Sequence, residues 1–107
     1  MLISTAALMS VMYGVITQEP SPSHQAYDIS CQVGRPIYAL HDGQLDSRRS
    51  PHLGNTVTIQ GDGITSLYAH MHEVDASGYV VKGQQIGTCG NTGSWSTGPH
   101  LHLEVVR

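Results

Sequence analysis

Apolar and polar positions alternate along this chain in short runs. "YGVIT", "YDISCQV", "RPIYALHDGQL", "NTVTIQ", "TSLYAHM", "QQIGTCG" and "HLHLEVV" are rich in β-branched, aromatic or other apolar side chains. Between and within them stand "EPSPS", "HDG", "SRRSPHLGN", "GDG", "ASG", "KG" and "NTGSWSTGP", clusters of residues that favour turns. The "GDG" that joins "TVTIQ" to "ITSLYAH" has the form of a tight hairpin. No segment sustains a 3.6-residue apolar repeat, so little or no helix is expected. Short strands joined by short turns predict an all-β fold: a compact, mostly antiparallel sheet folded over on itself, or a barrel-sandwich. The opening "MLISTAALMSVMYGVI" is apolar but carries no Lys or Arg and no convincing small-residue cleavage site. At about fifteen residues it is also short for a bilayer span. Residues 1–13 are therefore expected to form the first strand region rather than a signal or an anchor. With 107 residues and no internal repeat or linker, the chain is expected to be a single domain, 1–107.

Composition narrows the function classes. A formal charge of −3 with only five basic residues argues against nucleic acid, which calls for a basic patch. At 39% hydrophobic the chain can build a modest core, with Tyr, Val, Ile and Leu filling it in the absence of Phe. A bound metal would add useful stability at this size. Cys31 and Cys89 are the two cysteines, and neither sits in a C-x-x-C pair. Buried reduced thiols are the expectation, with a single disulfide as the alternative. Histidine is the outlier, with seven residues.

The segment "TGPHLHLEVV" concentrates that histidine. On a strand His100 and His102 point to one face, while Leu101, Leu103 and Val105 share the other. Paired imidazoles repel when protonated and displace apolar burial when neutral, so a metal ion is the natural reason for them. "SHQAYDIS" offers His24 and Asp28, and "LYAHMH" offers His70 and His72. A catalytic zinc site takes three protein ligands and leaves one position open for water. His24, Asp28 and one member of the H-x-H pair would supply that set, leaving the other member and His70 to act on the water. Glu104 falls on the face of His100 and His102, either as a partner holding an imidazole tautomer or as a surface salt bridge. Trp95 reads as groove lining or as a half-buried packing residue. His41 is expected at the surface in a turn and His52 in a loop. His72 would share a face with His70 if the strand continued.

Taken in order, "HQAYDIS", "GRPIYA", "GNTVTIQGDG", "SLYAHM" and "VVKGQQIGTCGNTGSWSTGPHLHLE" resemble the lysostaphin-like (LytM-type) zinc metalloendopeptidases of bacterial cell walls. The resemblance covers about residues 14–107 and is most specific in "GNTGSWSTGPHLHLE" and "LYAH". It implies His24, Asp28 and His102 as ligands of one Zn2+ per chain, with His70 and His100 as catalytic residues that do not bind the metal. It implies hydrolysis of a peptide bond in peptidoglycan, in a cross-bridge or a stem peptide, with zinc-bound water as nucleophile. His100 is then the choice for general base, and His70 would orient the water or stabilise the tetrahedral intermediate, although these roles could be exchanged. The partners implied are peptidoglycan peptides, met by a monomer with no membrane insertion and no nucleic acid. Its place of action is the cell wall, whether reached from outside, from the periplasm or by phage delivery.

The chain departs from the family in places. The first motif usually reads H-x-G-x-D, whereas Ala26 stands at the glycine, and alanine tolerates most backbone regions except positive φ. The stretches "QEPSPS" and "HMHEVDASGYVVKG" look trimmed, so the groove walls are expected to be reduced. One alternative is a non-catalytic family member that binds the wall or activates another hydrolase. Such members typically lack zinc ligands, while all five positions are present here. "VVKGQQIGTCG" also resembles the hairpin of biotin or lipoyl carriers, but Lys82, the only lysine, is not at an exposed tight turn of it. Cupin-like barrels use H-x-H as well, with a longer gap to their glutamate than Glu104 leaves.

Overall fold

Among the residues described by the structure, a computed structural model covering 2–23 and 25–107, one short helix precedes nine strands. These are α1 (Thr5–Val11), β1 (Val15–Gln18), β2 (Tyr27–Ser30), β3 (Pro36–Tyr38), β4 (Gly43–Ser50) and β5 (Gly54–Gly61). They are followed by β6 (Ile64–Val74), β7 (Gly78–Val80), β8 (Gln85–Cys89) and β9 (His100–Val106). Each pairing between strands is antiparallel, in the order β1-β2-β9-β6-β5-β4-β7, with β8 joining β3 to β6. The sheet is folded but not closed, since β1 and β7 end the path. The expected all-β, mostly antiparallel class is the one found.

The "GDG" hairpin forms as expected. Gly61 pairs with Ile64, so Asp62 and Gly63 are the two loop residues, and both have positive φ, 55° and 71°. That is the backbone a two-residue hairpin needs to match strand twist. Alternation is clearest on β9, where Leu101, Leu103 and Val105 are buried in the core and the intervening His100, His102 and Glu104 face the other way.

The long strand β6 sets the position of the site. Its residues Thr65–Ala69 pair with β9, whereas Met71, Glu73 and Val74 pair with β8. The change of neighbour falls at His70. There the β5 register also slips, between Val57↔Tyr68 and Asn55↔Met71, and His70 adopts φ 61°. This is a β-bulge, which re-aims a side chain at the cost of local ladder bonds.

Three expectations are corrected. The strand region expected over 1–13 is not found among its described residues; Thr5–Val11 is helical, with the Ser4 hydroxyl accepting a hydrogen bond from Ala7 N at 3.1 Å. Leu8, Val11 and Met12 are buried, the i, i+3, i+4 spacing of a helix face. At seven residues the helix is too short for that spacing to stand out against an apolar run. Secondly, the cysteines are not free thiols, because Cys31 and Cys89 form a disulfide across 58 residues of sequence. The folding of the sheet brings the end of β8 beside the chain leaving β2, with Cα atoms 6.5 Å apart, an ordinary spacing for the bond. Thirdly, His41 is buried at 5% exposure rather than lying on the surface. Its Nδ1–H donates to the Asp42 carbonyl (2.9 Å), leaving Nε2 to accept from Ser66 (2.8 Å). Ser66 Oγ then accepts from Tyr68 OH (2.8 Å), which itself accepts from Leu40 N (3.1 Å). A buried chain with every group paired is stable where a single orphan would not be.

Candidate active site

The central pair comes from strand register. On β2 and β9, Asp28 pairs with His102 and Ser30 with His100, while on β6 Ala69 pairs with His102 from the other side. Asp28 Oδ1 lies 3.3 Å from His102 Nδ1 and 3.8 Å from His100 Nε2. The bulge brings in the third imidazole: the ring of His70 is centred 4.8 Å from that of His100 and 5.9 Å from that of His102. Thus four of the five residues singled out from sequence meet at one place. The fifth, His24, lies outside the described residues. Ser23 and Gln25 on either side of it line the same cleft, a cavity of about 370 Å³ that also contains Asp28, His70, His100, His102, Glu104, Leu53 and Trp95.

Hydrogen bonds fix the tautomer of each ring. His70 Nδ1 faces the Thr92 carbonyl at 2.7 Å and must donate to it, so a neutral His70 carries its lone pair on Nε2. His100 Nδ1 likewise donates to the Gly98 carbonyl at 2.8 Å, leaving its Nε2 toward Asp28. His102 is turned the other way. Its Nε2 donates to Glu104 Oε2 at 2.9 Å, and its Nδ1 faces Asp28, donating to it when the ring is protonated and presenting a lone pair there when the ring is neutral.

Electrostatics separate the rings further. Burial lowers the pKa of His70 below its usual 6.5, and the nearby His100 and His102 push the same way, against the Thr92 carbonyl and Asp28. At neutral pH His70 is therefore an uncharged acceptor. Burial also works against charge on His102, but the hydrogen bonds its protonated ring donates to Asp28 and Glu104, and their negative charge, outweigh it, and its pKa rises.

The donor chemistry fits zinc. A carboxylate oxygen and an imidazole lone pair 3.3 Å apart match two corners of a tetrahedron with bonds of about 2.0–2.1 Å. Glu104 behind the ring is the kind of partner that orients a ligating imidazole and raises its basicity. Among the described residues no group of three or more such side chains is assembled, so a catalytic zinc here would need a further ligand from outside them. Ala26, at the position where the motif usually has glycine, is buried and does not adopt positive φ, so the methyl group brings no strain.

Other histidines stand apart. His72 is exposed beyond the bulge, which breaks the alternation that would have aligned it with His70. His52 stacks on Trp95, with ring centroids 4.5 Å apart and planes 13° from parallel. Trp95 is 65% exposed and lines the cleft, so it is not a half-buried packing residue.

Sequence reasoning passed over the residues that hold His70. Besides its carbonyl, Thr92 uses its hydroxyl to donate to Met71 O (2.7 Å) and to accept from Asn55 N (3.1 Å). The Asn55 amide bridges the Met71 and His72 carbonyls at 3.2 and 3.1 Å, and His70 N donates to Leu53 O at 2.8 Å. The turn at 52–54 and the loop at 90–93 thus clamp the bulge between them. Gly54 and Gly93 make this possible: both have positive φ, and a Cβ on either would strike backbone of the opposite segment. A carbonyl acceptor leaves no trace in residue identity, which is why Thr92 gave no signal.

The family model "Peptidase family M23" matches residues 22–107. Peptidoglycan DD-endopeptidase ShyA of Vibrio cholerae is 38% identical over 95 residues, covering 85% of this chain and 22% of its own length. DD-carboxypeptidase/endopeptidase Mpg of Neisseria meningitidis is 40% identical over 85 residues, covering 77% of this chain and 20% of its own. The chain thus spans about a fifth of the length of these curated relatives. Among solved structures, a zinc-containing peptidase from Vibrio cholerae superposes with a TM-score of 0.77 at 31% identity, over 88% of this chain and 33% of that one. The catalytic domain of lysostaphin from Staphylococcus simulans gives 0.69 at 31% identity, over 88% of this chain and 75% of that one. With a family model matched from residue 22 to the last residue and a shared fold at this identity, the chain belongs to peptidase family M23.

Proposed function

We propose that this chain is a zinc-dependent endopeptidase domain that hydrolyses a peptide bond in bacterial peptidoglycan. One observation carries the reading: Asp28 and the lone pair of His102 converge, while His70 and His100 stand beside them with Nε2 turned inward. Held by Asp28, His102 and His24, zinc would supply Lewis-acid polarisation of the scissile carbonyl and acidify a water. The protein's own groups do the rest. Asp28 and His102 anchor the site, with Glu104 keeping His102 in the tautomer that exposes Nδ1. His70 and His100 each have Nδ1 tied to a backbone carbonyl, so each can take up or release a proton at Nε2 without turning. Between them they can draw a proton from the attacking water, hydrogen-bond the developing oxyanion and return a proton to the leaving amine.

The names of the relatives support a bond in the cross-linked stem peptides over a cross-bridge bond. The chain would act as a monomer on peptidoglycan peptides outside the cytoplasm, and the Cys31–Cys89 disulfide suits such an oxidising place. The test is direct. Protein dialysed against dilute zinc should hold close to one zinc per chain and release defined peptides from purified walls, identified by mass spectrometry. A folded protein that takes up no zinc, or takes it up and cleaves no wall, would sink the proposal.

A further inference from the structure

The residue Trp95 is the only tryptophan in the chain, and most of it faces solvent. Nothing in the core needs it, yet it is held firmly. His52 stacks on the indole at 4.5 Å and is itself tied by Nδ1 to Ser94 Oγ at 2.9 Å. The backbone closes the same unit, with Trp95 N donating to His52 O (3.1 Å) and Ser94 N to Pro51 O (2.9 Å). The close approach of Gly93 to the 52–54 turn fixes the two segments against each other. An exposed aromatic ring that is backed and immobilised loses little entropy when something packs on it, the condition for a preorganised binding platform.

Its place says what would pack there. Trp95 borders two adjoining hollows, and Asp28 and His100 border both of them too. One hollow contains His70 and His102; the other runs past Thr17, Gln18 and Pro99. A substrate threading both would cross Asp28 and His100 with its scissile bond and pass Trp95 within the same cleft. The hollow with the histidines holds about 370 Å³ and its neighbour about 530 Å³, room for a few amino acid residues along the pair. We propose that Trp95, backed by His52, is a subsite that stacks the aliphatic side chain of the substrate residue beside the scissile bond. This rests on the peptidase reading above and adds a side-chain preference to it: a peptide with alkyl groups flanking the cleaved bond is taken in preference to a run of glycines.

Because Trp95 is the sole tryptophan, its fluorescence reports on the platform without any turnover. The metal-free protein is titrated with a sugar-free peptidoglycan stem tetrapeptide, with triglycine and with an N-acetylglucosamine tetramer. A saturable change is expected with the stem peptide, and a response at least about threefold weaker in affinity with triglycine. No response to the stem peptide, equal affinity for triglycine, or a response to the sugar alone overturns the subsite. In the zinc-loaded protein, Trp95→Ala should raise KM for wall digestion by about three- to tenfold with kcat little changed, and Trp95→Tyr should recover most of it. A fall in kcat at constant KM would assign Trp95 to the architecture of the site instead. Wild-type protein that cleaves walls but fails the titration refutes the subsite alone, whereas zinc-loaded wild type that cleaves nothing refutes the peptidase reading.

Discussion

The imidazole of His102 has its two nitrogens assigned by different carboxylates, Nε2 by Glu104 at 2.9 Å and Nδ1 by Asp28 at 3.3 Å. Replacing Glu104 by Gln keeps an acceptor but removes the charge, so zinc affinity measured by chelator competition should fall about tenfold or more while the fold survives. His102→Ala should lose both zinc and activity. His100→Ala should keep zinc while turnover drops by about two to four orders of magnitude; loss of zinc there would reverse the assignment within the pair. A pH effect belongs to His70. Its folded pKa lies below 6.5, so above 6.5 the ring is neutral in both folded and unfolded chains and adds no pH dependence. As the pH falls below 6.5 the unfolded chain takes up a proton that the folded ring resists, and stability is lost down to the folded pKa. Metal-free wild type should therefore lose urea resistance from pH 7 to 5.5 more steeply than His70→Gln, and equal slopes would refute this. The shared face of His100 and His102 was legible because a strand has a period of two. The buried His41 was not legible, because its neighbours Ser66 and Tyr68 are supplied by a strand 25 or more residues away.

Strand β6 joins the two halves of the sheet by changing partners in mid-course, and the residue at the change, His70, is the one whose ring lines the cleft. The "LYAH" motif marks that place in sequence, but an alternation rule carried past it would put His72 beside His70, and the bulge prevents this. The clamp around the bulge makes a prediction about backbone rather than side chains. In Gly93→Ala, a methyl group would meet the His52 carbonyl at φ 88°, so about 2 kcal/mol or more of stability should be lost in urea unfolding. Thr92→Val is gentler. It keeps the carbonyl that holds His70 but deprives Asn55 N and Met71 O of the hydroxyl, and should cost about 1–3 kcal/mol. If the hydroxyl positions His70, Thr92→Val should also lower kcat with KM unchanged, and Thr92→Ser should restore it. A stability loss with unaltered kcat would confine the hydroxyl to the architecture.

At the scale of the whole molecule, two crosslinks of different kinds join distant parts of the sequence: the cluster of Asp28, His70, His100 and His102, and the Cys31–Cys89 disulfide. The first could be read from sequence because the motifs that carry its residues resemble, in order and surroundings, those of a known family. The second could not, because two isolated cysteines pair only if the sheet folds so that β3 and β8 lie beside the end of β2, and no local pattern carries that. Cys89 lies in the hydrophobic core with Cys31 packed against it, and Cys31 N reaches the carbonyl of Pro99, the residue before His100, at 3.4 Å. It therefore braces the entry to β9 without supplying a donor to the cleft. Closing a loop across 58 residues restricts the unfolded chain by about 4 kcal/mol in the chain-entropy account. Replacing both cysteines by serine should lower urea stability by an amount of that order, and mild reduction of the wild type should do the same. Zinc stoichiometry should be one per chain with or without the disulfide, because the proposed ligands Asp28, His102 and His24 include neither sulfur. A double mutant that remains folded by circular dichroism but no longer holds zinc would show that the brace reaches further, fixing the cleft as well as the sheet around it.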